Sequence, residues 1–75
     1  MPKIAYVNSP FGDPEVHAPG CADIKKKVRR GFDLAGYAEA TTQREAFYDY
    51  NADFIDDGYT EEDFWQLKFY PCAGL

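Results

Sequence analysis

Three side chains in this sequence are of the types that bind metal ions or act as nucleophiles: His17, Cys21 and Cys72. A His-x3-Cys pair with one distant cysteine suits Zn²⁺, and Asp23 or Asp13 would supply a fourth ligand. The sequence has no Cys-x2-Cys pair of the kind found in zinc fingers and ribbons. We therefore expect two reduced, buried thiols, a histidine in a loop and no cofactor. A zinc site and a Cys21–Cys72 disulfide are the alternatives.

The same cysteine and histidine types can carry out nucleophilic catalysis. An activated thiol needs a third group that orients the histidine, together with donors for an oxyanion, and the neighbouring residues suggest neither. The chain has 75 residues, a size at which one core supplies only about 3–5 kcal/mol. We expect a protein that is not an enzyme.

A basic run, Lys25–Arg30, is the second group that could bind a ligand, because clustered cations bind phosphates. The favoured interpretation is a solvated helix face. The next is pairing with acidic residues, either within one molecule or between the protomers of a homo-oligomer. Nucleic acid is disfavoured as a partner, because the net charge of −5 repels a polyanion at long range.

Acidic residues are concentrated in the second half of the chain. Residues 1–37 carry six basic and four acidic side chains, whereas residues 38–75 carry two basic and nine acidic ones. The acidic surface predicted for residues 45–63 can imitate a phosphate backbone or bind another basic protein surface, although a solubilising face is the simpler interpretation. Its members are Glu45, Asp49, Asp53, Asp56, Asp57, Glu61, Glu62 and Asp63.

The segment from Gln66 to Tyr70 resembles the peptide by which proteins bind the bacterial sliding clamp. By that resemblance Gln66 makes polar contacts at the pocket rim, while Leu67, Phe69 and Tyr70 fill the cleft. The match is partial, since Phe69 stands where an aliphatic residue is usual and Tyr70 where Phe is usual. A core strand with Leu67 and Phe69 facing inward is the favoured interpretation.

These residues must be positioned by helices and strands, and the longest periodic stretch covers residues 42–57. Phe47, Tyr50 and Phe54 form the apolar stripe of an amphipathic helix there. Thr42 begins a capping box, because a glutamate follows three residues later, and Gly58 provides the left-handed end. We expect the stripe to be buried and the acidic side of the helix to be exposed.

Shorter elements complete the prediction. A basic helix covers about residues 20–30, and strand candidates lie at Lys3–Val7, Glu15–His17, Tyr37–Ala40 and Leu67–Tyr70. A second helix start is indicated at Thr60. The sequence therefore predicts one small α+β domain, residues 1–75, in which the amphipathic helix (about 42–57) packs on a short three- or four-stranded sheet. No apolar run approaches the roughly 18 residues of a membrane span, so we expect a cytoplasmic protein without a membrane partner.

Two stretches carry a resemblance to a known group of proteins. VHAPGCADI at residues 16–24 and KFYPCAGL at residues 68–75, with DFIDDG between them, resemble small orphan accessory proteins of actinobacteriophages. Those proteins pair a VHxxGCxD[IL] start with an FxPCxxL finish. The resemblance spans most of the chain, although the loop at residues 8–15 departs from the shorter N-terminus of that group. It implies a small phage accessory protein and no particular reaction.

Together these features predict a non-catalytic protein that binds a host protein in the bacterial cytosol, through the acidic face or the C-terminal segment. The alternative is a zinc-stabilised module that uses His17, Cys21 and Cys72, or a nucleic-acid-binding module that uses Lys25–Arg30.

Overall fold

The computed structural model describes residues 1–75 and contains a four-stranded mixed sheet. The strands are β1 (Ile4–Asn8), β2 (Glu15–His17), β3 (Asp33–Ala38) and β4 (Lys68–Phe69), in the spatial order β3-β1-β2-β4. β1 pairs antiparallel with β2 and β3, and β2 pairs parallel with β4. The predicted α+β class and short sheet are confirmed.

Three helices and two short turns connect the strands. The helices are α1 (Ala22–Arg29), α2 (Gln43–Tyr50) and α3 (Ala52–Asp56), and 3-10 turns cover Glu61–Asp63 and Pro71–Ala73. The predicted basic helix is α1, whereas the helix expected at Thr60 is only a 3-10 turn. None of the helices has the length and apolar character needed to cross a bilayer.

The central strand β1 is buried on both sides, and its side chains alternate between two small cores. Ile4 and Tyr6 pack with Ala46 of α2, whereas Ala5 and Val7 pack with Ile24 of α1. The sheet therefore lies between α1 on one face and α2 on the other.

The helix predicted for residues 42–57 is divided at Asn51, which lies between α2 and α3 with φ −99° and ψ 20°. The Asn51 side chain is buried, and its amide nitrogen donates to the carbonyl oxygens of Phe47 (2.8 Å) and Trp65 (3.1 Å). Its oxygen accepts from the Trp65 N–H at 2.8 Å. The asparagine thus links the helix junction to a segment distant in sequence. Short polar side chains can bond to backbone groups in this way and so compete with the continuation of a helix.

This division changes how the aromatic stripe packs. The small Ala46 is fully buried against the sheet with Tyr50 beside it, while Phe47 and Phe54 pack on the buried ring of Phe64 at 5.4 and 6.4 Å between centroids. Phe47, Tyr50 and Phe54 are each half-buried, so the expectation of full burial is wrong. The reason is that the smallest residue of the helix makes the closest approach to the sheet, and the larger rings form a second cluster beside it.

The ends of the divided helix follow the sequence closely. The Thr42 hydroxyl accepts from the Glu45 N–H at 3.1 Å, as a capping box requires, but the Glu45 carboxylate accepts from the Thr41 N–H rather than the Thr42 N–H. Gly58 has φ +84° and ends α3, as predicted. β3 begins earlier than the predicted segment 37–40, and its pairing with β1 contains an irregularity between Tyr6 and Val7.

Candidate functional site

A polar cluster lies on the sheet face that α1 covers, where β2 ends. Val16 packs in the core on the α2 side, so its neighbours Glu15 and His17 project toward α1. Glu15 is 5% exposed and His17 is 0% exposed. The expectation of a loop histidine is wrong, because His17 is the last residue of β2 and lies inside the fold.

Glu15 is the acceptor at the centre of this cluster. Its Oε1 lies 2.9 Å from Nε2 of His17 and 2.8 Å from Nζ of Lys27, and its Oε2 accepts from the Tyr70 hydroxyl at 3.0 Å. Burial raises the pKa of Glu15, but the hydrogen bonds from Lys27, His17 and Tyr70 more than offset that effect and hold the pKa below its ordinary value. Glu15 therefore keeps its negative charge inside the fold at neutral pH.

Lys27 is the cation of the basic run that turns inward. Its Nζ donates to the Tyr70 hydroxyl at 2.8 Å and lies 4.6 Å from the Tyr70 ring centroid and 5.0 Å from that of Phe32. Burial lowers the pKa of Lys27, whereas its bonds to Glu15 and Tyr70 raise the pKa above its ordinary value. The rest of the run is exposed and forms no ion pair.

Cys21 and Cys72 lie on the other side of the histidine ring. Cys21 directly precedes α1, and Cys72 lies in the 3-10 turn Pro71–Ala73. Sγ of Cys72 is 3.6 Å from Nδ1 of His17, and the ligand atoms of the three residues all lie within 4.8 Å of one another. Both cysteines are free thiols; Cys21 is half-buried and Cys72 is exposed, so the expectation that both are buried is wrong.

The surroundings of Cys72 keep it protonated. Burial of the thiol group raises the pKa of Cys72, as do Cys21 and Asp23, and the hydrogen bond from the Ala18 N–H at 3.4 Å acts in the opposite direction without reversing the shift. The carboxylate of Glu15, the ring of His17 and the thiol of Cys72 are arranged in space like the acid, base and nucleophile of a catalytic triad. Glu15 is thus the third group, orienting the histidine, that the sequence did not reveal. A thiol with a raised pKa is nevertheless a poor nucleophile at neutral pH.

The predicted acidic residues lie on the opposite side of the sheet from α1. They are all exposed: Glu45, Asp49, Asp53, Asp56, Asp57, Glu61, Glu62 and Asp63. One ion pair forms among them, between Arg44 and Glu61 at 3.4 Å, and Asp49 accepts from the Tyr6 hydroxyl at 2.9 Å. No side chain of Lys25–Arg30 pairs with this surface. The acidic face is therefore without basic partners inside the molecule, apart from Arg44.

A groove beside the acidic face was not anticipated from the sequence. It encloses about 220 Å³ and is lined by Tyr50, Asn51, Asp53, Phe54 and Trp65, of which Trp65 is 55% exposed. The signal for it was the one tryptophan of the chain, which follows three consecutive acids and one phenylalanine. The groove brings a carboxylate and aromatic rings together at one exposed place.

The clamp-like segment is built into the fold. Leu67 and Phe69 pack against the core, and β4 pairs with β2, so that Phe69 lies opposite Val16. The Tyr70 hydroxyl belongs to the polar cluster, and Gln66 is exposed. A sliding clamp would have to detach β4 from the sheet before it bound these side chains.

Glu15, Lys27 and Tyr70 are the members of the polar cluster whose roles the sequence analysis missed. The available signal was the strand segment Glu15-Val16-His17, in which two polar residues share one face on either side of a core valine. Comparisons of the chain with protein-family models, curated proteins and solved structures gave no match.

Proposed function

We propose that this protein is a non-catalytic accessory protein that binds a basic surface of a host protein through its acidic face. The observation that carries the proposal is a set of exposed carboxylates with almost no basic partners in their own molecule. Glu45 and Asp49 lie four residues apart on α2, and like charges at this spacing destabilise a helix by about 0.2–0.5 kcal/mol. A surface of like charges suits an external basic partner that relieves the repulsion.

The groove beside Trp65 supports a partner with exposed arginine or lysine side chains. A cation in this groove lies beside the Asp53 carboxylate and the aromatic side chains of Trp65 and Phe54, and cations are attracted both to carboxylates and to aromatic rings. Tryptophan and tyrosine are also the residues most often found at interface hot spots, and Tyr59 is 53% exposed next to Phe54. The resemblance to actinobacteriophage accessory proteins supports a protein of an actinobacterial host as the source of that surface.

The test compares two double variants that remove the same charge. Asp53→Asn/Asp56→Asn removes two of the eight charges of the acidic face, and Asp13→Asn/Asp33→Asn removes two exposed charges outside it. Each variant and the wild type serve as bait for an actinobacterial lysate, and the proteins retained are identified by mass spectrometry. The proposal expects a protein held by the wild type and by the Asp13/Asp33 variant but lost by the Asp53/Asp56 variant.

The purified partner then gives the quantitative result. Its association rate with the Asp53/Asp56 variant should fall at least about ten-fold at low salt, and the difference should shrink as salt screens the charges. Equal retention by all three baits, or an association rate that does not respond to salt, would overturn the proposal.

A second candidate rests on the exposed part of the basic run. Lys25, Lys26 and Arg29 lie on α1 and Arg30 directly follows it, across the sheet from the acidic face, and none of the four forms an ion pair. A nucleic acid bound there would release counterions, so its affinity should decrease steeply with salt. Fluorescence anisotropy with a labelled duplex checks this, since Lys25→Gln/Lys26→Gln should weaken binding and reduce the salt slope.

A further inference from the structure

We propose that His17, Cys21 and Cys72 form a binding site for Zn²⁺, with Glu15 as the residue that orients the histidine. This site lies across the sheet from the acidic face and is independent of the host-binding proposal. The site joins residues that are distant in sequence, since Cys72 lies 55 residues after His17.

The distances between the three side chains suit the ion. Zn–S bonds of about 2.3 Å and Zn–N bonds of about 2.0–2.1 Å place tetrahedral nitrogen and sulfur ligands about 3.6 Å apart, and two sulfurs about 3.8 Å apart. Nδ1 of His17 lies 3.6 Å from Sγ of Cys72, and all three ligand atoms lie within 4.8 Å of one another. Small rotations of the two cysteine side chains are enough to complete the geometry.

The histidine already has the orientation that a zinc ligand needs. The Glu15 carboxylate, which is paired with Nζ of Lys27 at 2.8 Å, accepts hydrogen bonds, so Nε2 of His17 donates to it at 2.9 Å and Nδ1 faces the thiols. A ligating histidine nearly always donates its other ring N–H to a carboxylate or carbonyl in this way, which fixes the ring and its tautomer. The negative charge of Glu15 is in turn balanced by the Lys27 ammonium group, 2.8 Å away.

The charges and protons balance when the ion binds. Each thiol releases one proton to solvent and becomes a thiolate, and His17 binds as the neutral imidazole. Two thiolates and Zn²⁺ have no net charge, so the buried side of the site needs no further counterion. The Ala18 N–H already donates to Sγ of Cys72 at 3.4 Å, and Cys72 is exposed, which leaves an entry path and a fourth position for a water molecule.

A disulfide between the two cysteines fits the surroundings less well. His17 is fully buried, and Cys72 is the only polar partner of its Nδ1. A bridged Cys72 has no S–H to donate, so the bridge leaves a buried nitrogen acceptor without a hydrogen bond, which is costly. Zinc coordination satisfies the same nitrogen and both sulfurs together.

The experiment uses the full chain, stripped of metal by a chelator under reducing conditions and titrated with Co²⁺. The expected result is a sulfur-to-cobalt charge-transfer band and the visible bands of tetrahedral Co²⁺, which saturate at one equivalent and disappear when Zn²⁺ is added. Glu15→Gln should weaken Zn²⁺ binding by about 10–100-fold in competition with a chromophoric chelator. Cys72→Ala and Cys21→Ala should weaken it further, and Asp13→Asn, an exposed acid outside the cluster, should leave it unchanged.

A second measurement protects the test against misfolded variants. In the wild-type protein, Zn²⁺ should shield Cys21 and Cys72 from alkylation by iodoacetamide, as read by intact mass, and should raise the melting temperature with concentration. The proposal is overturned if Co²⁺ gives no charge-transfer band or if the cysteine variants bind Zn²⁺ as tightly as the wild type does. It is also overturned if Zn²⁺ added to the reduced protein does not change the alkylation of Cys21 and Cys72. An intact mass showing a Cys21–Cys72 bridge in protein isolated from cytosol would overturn it as well.

Discussion

Replacing Lys27 by Met removes the cation that neutralises the buried Glu15 carboxylate. The Glu15 side chain is 6% exposed, so its charge would be left with only the hydrogen bonds from His17 and Tyr70. Removal of one partner from a fully buried ion pair costs about 3–5 kcal/mol. The Lys27 side chain is 19% exposed, so water can reach the place of its ammonium group and partly solvate the Glu15 carboxylate. We therefore expect the free energy of unfolding to fall by about 2–3 kcal/mol.

The matched control is Lys26→Met, which removes the same charge one residue away, from an exposed side chain without an ion pair. Urea unfolding at pH 7, followed by far-ultraviolet circular dichroism, measures both variants. Lys26→Met should stay within about 0.5 kcal/mol of the wild type. Addition of Glu15→Gln to Lys27→Met should restore part of the loss, because a neutral amide no longer requires the cation, and the double-mutant cycle gives the coupling.

The pH dependence follows from the lowered pKa of Glu15. A carboxyl whose pKa is lower in the folded protein than its ordinary value of 4.5 stabilises the fold above pH 4.5, and this contribution is lost as the pH falls through the folded pKa. The difference between the two lysine variants should therefore be full at pH 7 and shrink as the pH falls toward and below the ordinary value of 4.5. Equal urea midpoints for Lys27→Met and Lys26→Met at pH 7 would refute the role assigned to the buried pair.

Three further predictions concern side chains that contact α2 or α3, and they use the same unfolding measurement. Phe64→Ala should cost about 3–5 kcal/mol, because Phe64 is the buried centre of the aromatic cluster; a loss no larger than that of the exposed Tyr59→Ala would contradict its place there. Asn51→Ala should cost about 2–3 kcal/mol, because it removes the three hydrogen bonds that the buried Asn51 side chain makes with Phe47 and Trp65; an unchanged midpoint would show that the junction does not depend on the side chain. Tyr6→Phe should cost about 1 kcal/mol at pH 7. Burial and the Asp49 contact raise the pKa of Tyr6, so its contribution is present below pH 10 and lost as the pH rises toward the folded value; an equal alkaline loss in the Phe variant would refute this.

The parts of the fold that the sequence predicted are those that local contacts decide. Thr42 and Gly58 mark helix ends because their hydrogen-bond partners lie within three residues along the chain, at Glu45 and Ile55. The division at Asn51 escaped prediction because its side chain bonds to Trp65, 14 residues further on. Periodicity alone cannot reveal such a contact, since an asparagine is compatible with a continuous helix.

The polar cluster escaped prediction for a related reason. The sequence indicated a strand at Glu15–His17, but it did not show that the histidine at the end of this strand is fully buried. The contact between Sγ of Cys72 and Nδ1 of His17 depends on the pairing of β2 with β4, two strands whose paired residues are more than 50 positions apart in sequence. The residue types were visible from the start, whereas their side-by-side arrangement is a property of the sheet.

The parallel pairing of β2 with β4 also has a consequence for the order in which the molecule assembles. β4 has only two residues. The Lys68 N–H donates to the carbonyl oxygen of Pro14 at 2.8 Å, and the Tyr70 N–H, just after β4, donates to that of Val16 at 3.0 Å. Closing a loop of more than 50 residues costs chain entropy before these bonds form, whereas β1, β2 and β3 are neighbours in sequence. We expect β4 to dock after the folding transition state and to be the first strand released. Native-state hydrogen exchange should then find the amides of β4 opening without those of β1, so that water reaches the buried charge of Glu15 by this route.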